Sequence, residues 1–160
     1  MEDKKIVIIS NVNSRVGVLL PEINFSRKWP GKGSKVIVDK ATFEHMMYDT
    51  GARYMFETGM LYVEDMEIKK EVGLEPEGAK EPVNIIILDD KQRQRYMSVM
   101  PIGEFVNNIK KLNFEELQNL ADYAIEHELI GDLKKCEEIQ KLIGKDIIAA
   151  IKLNKQDKEA

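Results

Sequence analysis

The hydrophobic pattern of this 160-residue chain changes its period once, and that change constrains the fold more than any other feature. Before about residue 84, short β-branched runs such as residues 6–9 and 36–38 lie between turn-forming residues, as is typical of strands. After that point, apolar residues recur at three- and four-residue steps, which predicts amphipathic helices. Two such predicted stripes are Leu117, Leu120, Ala121, Ala124 and Ile125, and Leu133, Cys136, Ile139, Leu142 and Ile143. Because strands and helices are segregated along the chain, we expect an α+β fold, with a small β-rich N-terminal part containing short helices and an all-helical C-terminal part.

A segment rich in proline, glycine and charge lies where the pattern changes. Residues 74–82 contain Pro76, Gly78 and Pro82 among charged residues, a composition typical of a linker. We therefore expect a β-rich mixed domain over residues 1–83 and a helical domain or subdomain over residues 84–160. A single domain that contains both parts is the alternative.

Local signals predict the elements of the N-terminal part. Strands are expected at residues 4–10, 15–20, 36–38 and 60–63, with the first two as a hairpin. Asp39 is a suitable N-cap for a helix with Phe43, Met46 and Met47 on one face. The dipeptide at residues 50–51, Thr-Gly, predicts the end of that helix. Asp65 is expected to cap a shorter helix that reaches Val72 and closes at Gly73.

The C-terminal part is expected to hold five helices. Their predicted ranges are residues 89–100, 102–112, 114–129, 133–143 and 146–153, followed by a frayed polar tail over residues 154–160. Asn113 and Glu116 have the spacing of a capping box at the start of the third of these helices. A turn is expected at Gly131 and Asp132, and Cys136 falls on an apolar helical stripe, which predicts a buried thiol.

Opposite charges are concentrated in two separate segments of the N-terminal part. Residues 24–35 are basic and turn-rich and contain the only tryptophan, whereas residues 57–81 are rich in glutamate. Because tryptophan and arginine are frequent at interface hot spots, we expect the first segment to be a contact loop. Its candidate residues are Arg27, Lys28, Trp29, Lys32 and Lys35, and their candidate acidic partners are Glu64, Asp65, Glu67 and Glu71. The two segments could pair head to tail between copies, or both could be solvated faces without mutual contact.

The same basic segment permits a second interpretation. Over residues 24–40, the lysines and Arg27 can meet phosphates while Trp29 or Phe25 stacks on a base, so a nucleic-acid-binding regulatory protein is the alternative function. A net charge of −4 argues against a surface built entirely for nucleic acid. A lone tryptophan is also commonly a core residue.

No motif in the sequence predicts catalysis. Residues 31–35 contain glycine, lysine and serine, but not in the order or the strand-to-helix setting of a phosphate-binding loop. His45, His127 and Cys136 lack the spacing of zinc ligands or of a nucleophile and its base. We therefore expect no enzyme activity, no cofactor and no metal site.

The cysteine content and the N-terminal region suggest a compartment. A single cysteine suits a reducing environment, and the apolar run at residues 6–9 is too short for a signal peptide or a membrane span. The expected location is a cytoplasm, without membrane association.

Several short motifs together resemble an uncharacterised family of small tailed-bacteriophage proteins. They are Trp29, the Lys-Gly pair at residues 32–33, residues 36–38, Tyr-Asp at residues 48–49 with Gly51, residues 55–63, and residues 144–151. The resemblance implies a role in the virion or in its assembly. We therefore expect a non-enzymatic structural or assembly protein, such as a capsid, neck or tail accessory subunit. Its partners would be other phage structural proteins or copies of itself, in the host cytoplasm during assembly or in the virion.

Overall fold

A computed structural model describes residues 4–128 and 133–159, with side chains up to residue 156. It shows a small antiparallel β region followed by helices, which confirms the predicted α+β class. The chain divides into two compact units, Met1–Ile85 and Ile86–Ala160. Whether each unit folds independently stays a prediction.

The strands of the first unit form two antiparallel sheets. In the described residues these strands are β1 (Lys5–Ser10), β2 (Val16–Leu20), β3 (Phe25–Trp29), β4 (Lys35–Asp39) and β5 (Leu61–Tyr62). One sheet has the order β4-β1-β5, and the other pairs β2 with β3.

The predicted hairpin between the first two strands is wrong. β2 pairs instead with β3, in a register that runs from Val16 opposite Trp29 to Leu20 opposite Phe25. A 3₁₀ turn at Pro21–Ile23 and the left-handed conformation of Asn24, with φ of 53°, reverse the chain between those strands. The basic segment is therefore partly a strand rather than a loop.

The first unit contains three helices, each with a side-chain N-cap: α1 (Lys40–Tyr48), α2 (Thr50–Glu57) and α3 (Met66–Glu71). Asp39 accepts a hydrogen bond from the Thr42 amide at 2.8 Å, as predicted. The predicted end of α1 is confirmed, because the helix ends at Tyr48 with Asp49 as its C-cap. The interpretation of residues 50–51 as a glycine stop is wrong, because Asp49 accepts from the Ala52 amide at 2.8 Å and thereby caps a new helix. Gly73 has φ of 80° just after α3, as its predicted terminating position requires.

Both sheets and the three helices contribute side chains to the core of the first unit. The predicted helix face is confirmed, since Phe43, Met46 and Met47 are all buried. The rings of Phe43 and Phe56 meet edge to face, with centroids 5.5 Å apart. Other fully buried side chains of this unit are Ile8, Leu20, Trp29, Leu61 and Ile68.

The second unit is helical throughout its regular elements. The described helices are α4 (Asp90–Ser98), α5 (Ile102–Ile109), α6 (Phe114–Glu126), α7 (Leu133–Ile143) and α8 (Ile147–Glu159). The last helix continues through most of the tail that we expected to be frayed. The turn expected at residues 131–132 lies outside the described residues.

The capping box predicted at Asn113 and Glu116 is wrong. The side chain of Asn113 makes no cap hydrogen bond, and Glu116 is buried. A capping box occurs instead at α4, where Asp89 accepts from the Gln92 amide at 2.8 Å and Gln92 accepts from the Asp89 amide at 2.9 Å.

The predicted apolar stripes form most of the second core. On α6 the stripe is confirmed, and its fully buried members include Leu120, Ala121 and Ala124. On α7, Cys136 and Ile139 are buried as expected, whereas Leu133 and Leu142 are exposed. None of the described helices is long and apolar enough to cross a membrane.

Candidate interaction surface

Three of the predicted contact residues surround one groove. Arg27 and Lys28 of β3 and Lys35 of β4 line a groove of about 600 Å³, together with Ser26, Val36 and Ile37. All three cationic residues are exposed. Lys32, also exposed, lies in the turn between the two strands and does not line the groove.

Trp29 does not belong to this surface. Its side chain is completely buried, and its indole Nε1 donates a hydrogen bond to the Ile8 carbonyl at 3.0 Å. The pairing of β3 with β2 explains this placement, since Trp29 stands directly opposite the buried Val16. The prediction that Trp29 is a contact residue is therefore corrected: it is a core anchor next to the contact residues.

The register of the three-stranded sheet adds apolar surface beside the cationic residues. Ile37 of β4 stands opposite Val7 of β1, and Lys35 stands opposite Ile9. Directly opposite residues point to the same face of an antiparallel sheet. Ile37 is 62% exposed and Val7 is 39% exposed, so this face presents two β-branched side chains to solvent.

The groove also follows two strand edges. β4 is an outer strand of its sheet, and within the described residues β3 pairs only with β2. The Ser10 amide donates to the Ser34 carbonyl at 3.0 Å, which indicates that Ser10 and Ser34 face each other. Hydrogen-bonded pairs alternate in an antiparallel ladder, so the backbone amides of Lys35 and Ile37 face away from β1.

The groove is positively charged. Within the described part of the chain, Arg27, Lys28 and Lys35 form no ion pair with a carboxylate, and no carboxylate lines this groove. The cations are therefore available to a ligand. Guanidinium groups in particular can bind carboxylates through two parallel hydrogen bonds.

The predicted acidic partners have a different environment. Asp65 lies 2.9 Å from the Lys4 ammonium, Glu71 lies 3.1 Å from that of Lys40, and Glu67 lies 4.0 Å from that of Lys70. These carboxylates are thus already paired within the chain.

Asp65 has a structural role as well. Its carboxylate accepts from the Glu67 and Ile68 amides at 3.0 and 3.4 Å and so caps α3. The hydrogen bond from Lys4 is the main cause that lowers the pKa of Asp65, and the backbone donors lower it further, although burial opposes them.

A second, smaller groove is lined by both acidic and basic residues from the candidate sets. Glu64 and Asp65 line a cavity of about 320 Å³ with Lys5 and Lys35. Lys35 therefore lines both grooves, and opposite charges that are distant in sequence lie on one side of the same unit.

Two features of this surface escaped the sequence analysis. Lys5 lines the smaller groove, and Ile37 lines the larger one, although neither was predicted to contribute. Their alternation with buried Ile6 and Val38 is visible in the sequence. Only the pairing of β1 with β4, however, places them beside the cationic residues.

The titratable side chains that attract attention in the sequence are not assembled into a site. Among the described residues, no group of three histidine, cysteine or acidic side chains is placed to hold a metal ion. His45 lies 3.6 Å from Glu22 near the surface, His127 stacks against Tyr123, and Cys136 is fully buried.

Comparisons with known proteins give no match, so any proposal of function has to rest on the geometry. No family model, no curated protein and no solved structure matches this chain. The resemblance to a tailed-phage family stays a prediction from the sequence motifs.

Proposed function

We propose that this protein is a non-enzymatic assembly protein that acts through protein–protein contacts, with the groove between β3 and β4 as its contact surface. The tailed-phage resemblance suggests the setting: a capsid, neck or tail accessory subunit that binds another structural protein in the host cytoplasm, in the virion or in both.

The observation that carries this proposal is the composition of the groove. Arg27, Lys28 and Lys35 line the same groove as an exposed apolar residue, Ile37. Interface cores are enriched in arginine and in apolar side chains, and a polar rim commonly surrounds them. A basic rim around a β-branched side chain fits a protein partner that offers carboxylates and an apolar residue.

The nucleic-acid alternative has less support. Base stacking by Trp29 or Phe25 was the feature that distinguished it. Trp29 is fully buried, and Phe25 is half-buried and does not line the groove. A phosphate backbone would satisfy the cations but would leave Ile37 without an apolar contact.

A second copy of the chain is also a weaker candidate than a different protein. Asp65 and Glu71, which would have to meet the cations, are already paired with Lys4 and Lys40. Exchanging one exposed ion pair for another gains little free energy, because such pairs contribute about 0–1 kcal/mol.

Site-specific photocrosslinking in cells that make the protein tests the proposal. A benzophenone amino acid at position 37 reports on the groove, and the same group at position 54 is the matched control, because Tyr54 is 61% exposed and does not line the groove. We expect position 37 to give a discrete crosslinked protein band that position 54 does not give. Combining it with Arg27→Glu, Lys28→Glu and Lys35→Glu should remove the band.

Other outcomes decide between the alternatives. Equal background at positions 37 and 54 would overturn the proposal. Nuclease-sensitive adducts from position 37 would favour the regulatory alternative, and a band containing only this chain would show self-assembly instead of a different partner.

A further inference from the structure

The backbone of β4 along the basic groove offers hydrogen-bonding groups to a ligand. β4 is an outer strand, and alternation along its ladder with β1 turns the amides of Lys35 and Ile37 toward the side without a paired strand. An extended peptide laid beside such an edge gains main-chain hydrogen bonds, the mode known as strand addition.

The groove has space along this edge. It is lined by Ser26, Arg27 and Lys28 on the β3 side and by Lys35, Val36 and Ile37 on the β4 side, and its volume is about 600 Å³. The five residues of β4 extend over about 16 Å, which is enough to pair with a short extended segment.

We propose that β4 accepts an extended acidic segment of a partner protein as an added strand, an inference that rests on the contact function proposed above. The cationic lining selects the chemistry of the occupant, because the groove presents Arg27, Lys28 and Lys35 and no carboxylate. A strand bearing glutamate or aspartate supplies the missing charge, while its backbone pairs with the edge of β4.

The face of β4 also fixes where the acidic residue lies. Lys35, Ile37 and Asp39 alternate along one face of the strand. A neighbouring strand sets its own alternate side chains beside them, so a carboxylate belongs next to Lys35 and an apolar residue belongs next to Ile37. A carboxylate next to Asp39 would be repelled. The segment therefore carries an acidic and an apolar residue two positions apart.

A second copy of β4 satisfies these requirements only in part. Antiparallel pairing about Ile37 would set Lys35 of one copy opposite Asp39 of the other, which is favourable. It would also bring the Arg27 and Lys28 cations of both copies to the same region without added carboxylates. Like charges that face each other across an interface oppose association.

Fluorescence anisotropy with a labelled peptide tests the proposal on the full chain. In the probe, threonines separate two glutamates and then one valine. The second glutamate and the valine are therefore two positions apart. A lysine-for-glutamate version tests the charge requirement. Two further versions carry N-methyl groups on alternate amides, either on the edge that pairs with β4 or on the opposite edge.

We expect the acidic probe to bind and the lysine version not to bind. Methylation of one edge should abolish binding, whereas methylation of the other should leave it unchanged, because only one edge of a strand pairs with β4. Lys35→Glu should weaken binding at least about tenfold, since it replaces attraction by repulsion. Lys80→Glu, an exposed charge reversal away from the groove, should not.

Ile37→Pro gives a backbone test in the protein. It removes one amide that faces away from β1, a position where proline is tolerated in an edge strand. We expect weaker probe binding with an unchanged far-UV circular dichroism spectrum. Should that spectrum change, the N-methyl pair decides the question without any variant of the protein.

The remaining outcomes separate this inference from the function on which it rests. Charge-dependent binding that ignores both N-methyl patterns would overturn strand addition and leave the basic contact surface intact. If no acidic probe binds although position 37 gives a crosslinked protein, strand addition is likewise overturned and the basic contact surface is left intact. If a single-stranded oligonucleotide of matched charge binds equally well, nucleic acid replaces the acidic peptide as the proposed occupant. If light scattering shows β4-dependent dimers, a second copy of the chain replaces it.

Discussion

The indole of Trp29 and the backbone carbonyl of Ile8 form a hydrogen bond of 3.0 Å between two residues that are both completely buried. Trp29 belongs to the two-stranded sheet and Ile8 to the three-stranded sheet. This one donor therefore ties the two sheets together. It also fixes the strand on which Arg27 and Lys28 stand, so the proposed contact surface depends on a core contact beneath it.

Replacing Trp29 with phenylalanine should destabilise the protein by about 1–3 kcal/mol, because a buried acceptor loses a donor and the core loses volume. Urea unfolding followed by far-UV circular dichroism measures the change. Leu19→Ala is the control, since Leu19 is 69% exposed and should shift stability by less than about 0.5 kcal/mol. Equal effects of the two substitutions would mean that the indole bond contributes nothing.

The buried ion pair of the second unit should behave as a coupled pair. Arg93 lies 2.9 Å from Glu116, and their side chains are only 7% and 1% exposed. Glu116 also accepts from the Leu88 amide at 3.3 Å. Arg93→Met alone should cost about 3–5 kcal/mol, because it leaves a buried carboxylate without its cation. Glu116→Leu alone should cost less, because Arg93 keeps its contact with the exposed Asp90 at 3.1 Å.

The double substitution should cost much less than the sum of the two single ones, because no buried charge remains. A double-mutant cycle from urea unfolding measures this coupling. Strictly additive losses would contradict it. The exposed pair of Lys141 and Glu138, 3.0 Å apart, is a control expected to couple by at most about 1 kcal/mol.

Local signals predicted the elements well where one short segment determines them. Asp39 caps α1, and the apolar stripe of α6 is buried, because both depend on spacing within a single helix. The partner of β2 could not be predicted in this way. Strand pairing is non-local, and the competing turn at Pro21–Ile23 decided it. Glu116 shows the same limit, since its spacing suits a cap but Arg93, on another helix, binds it.

The candidate surface was predictable in part for the same reason. Charge alone identified Arg27, Lys28 and Lys35, which line the groove. Sequence could not reveal that Trp29 points inward, because that depends on the register with β2. Nor could it reveal that Lys4 neutralises Asp65, because residues so distant in sequence meet only after the chain folds.

The C-terminal segment of the first unit should open when one buried carboxylate is neutralised. Glu75 is 2% exposed and accepts from the amides of Val83, Asn84 and Ile85 at 2.9, 2.8 and 3.0 Å. Glu75→Gln removes the charge that strengthens these bonds and puts a donor where an acceptor is needed. Limited proteolysis should then cut residues 76–84 roughly tenfold faster or more, because local opening becomes easier. Glu77→Gln, at an exposed position, should not change the rate.

Asp65 should make stability depend on pH in a defined direction. Its pKa lies below the ordinary value of 3.8, chiefly because Lys4 donates to it. A carboxyl group with a lowered pKa in the folded state stabilises the protein above its unfolded pKa, and this contribution is lost as pH falls through the folded value. Asp65→Asn keeps the cap but removes the charge, so at pH 7 it should cost about 0.5 kcal/mol, and less in high salt.

The difference between Asp65→Asn and the unchanged protein should shrink as the pH falls below 3.8, since the wild-type carboxyl then becomes neutral as well. Urea unfolding across this range measures it, with Glu81→Gln at an exposed position as the control. A carbon-detected NMR titration gives the independent check: Lys4→Met should raise the pKa of Asp65 toward its ordinary value. A pKa unchanged by that substitution would mean that the amides of Glu67 and Ile68, rather than the ammonium of Lys4, hold the carboxylate in its charged form.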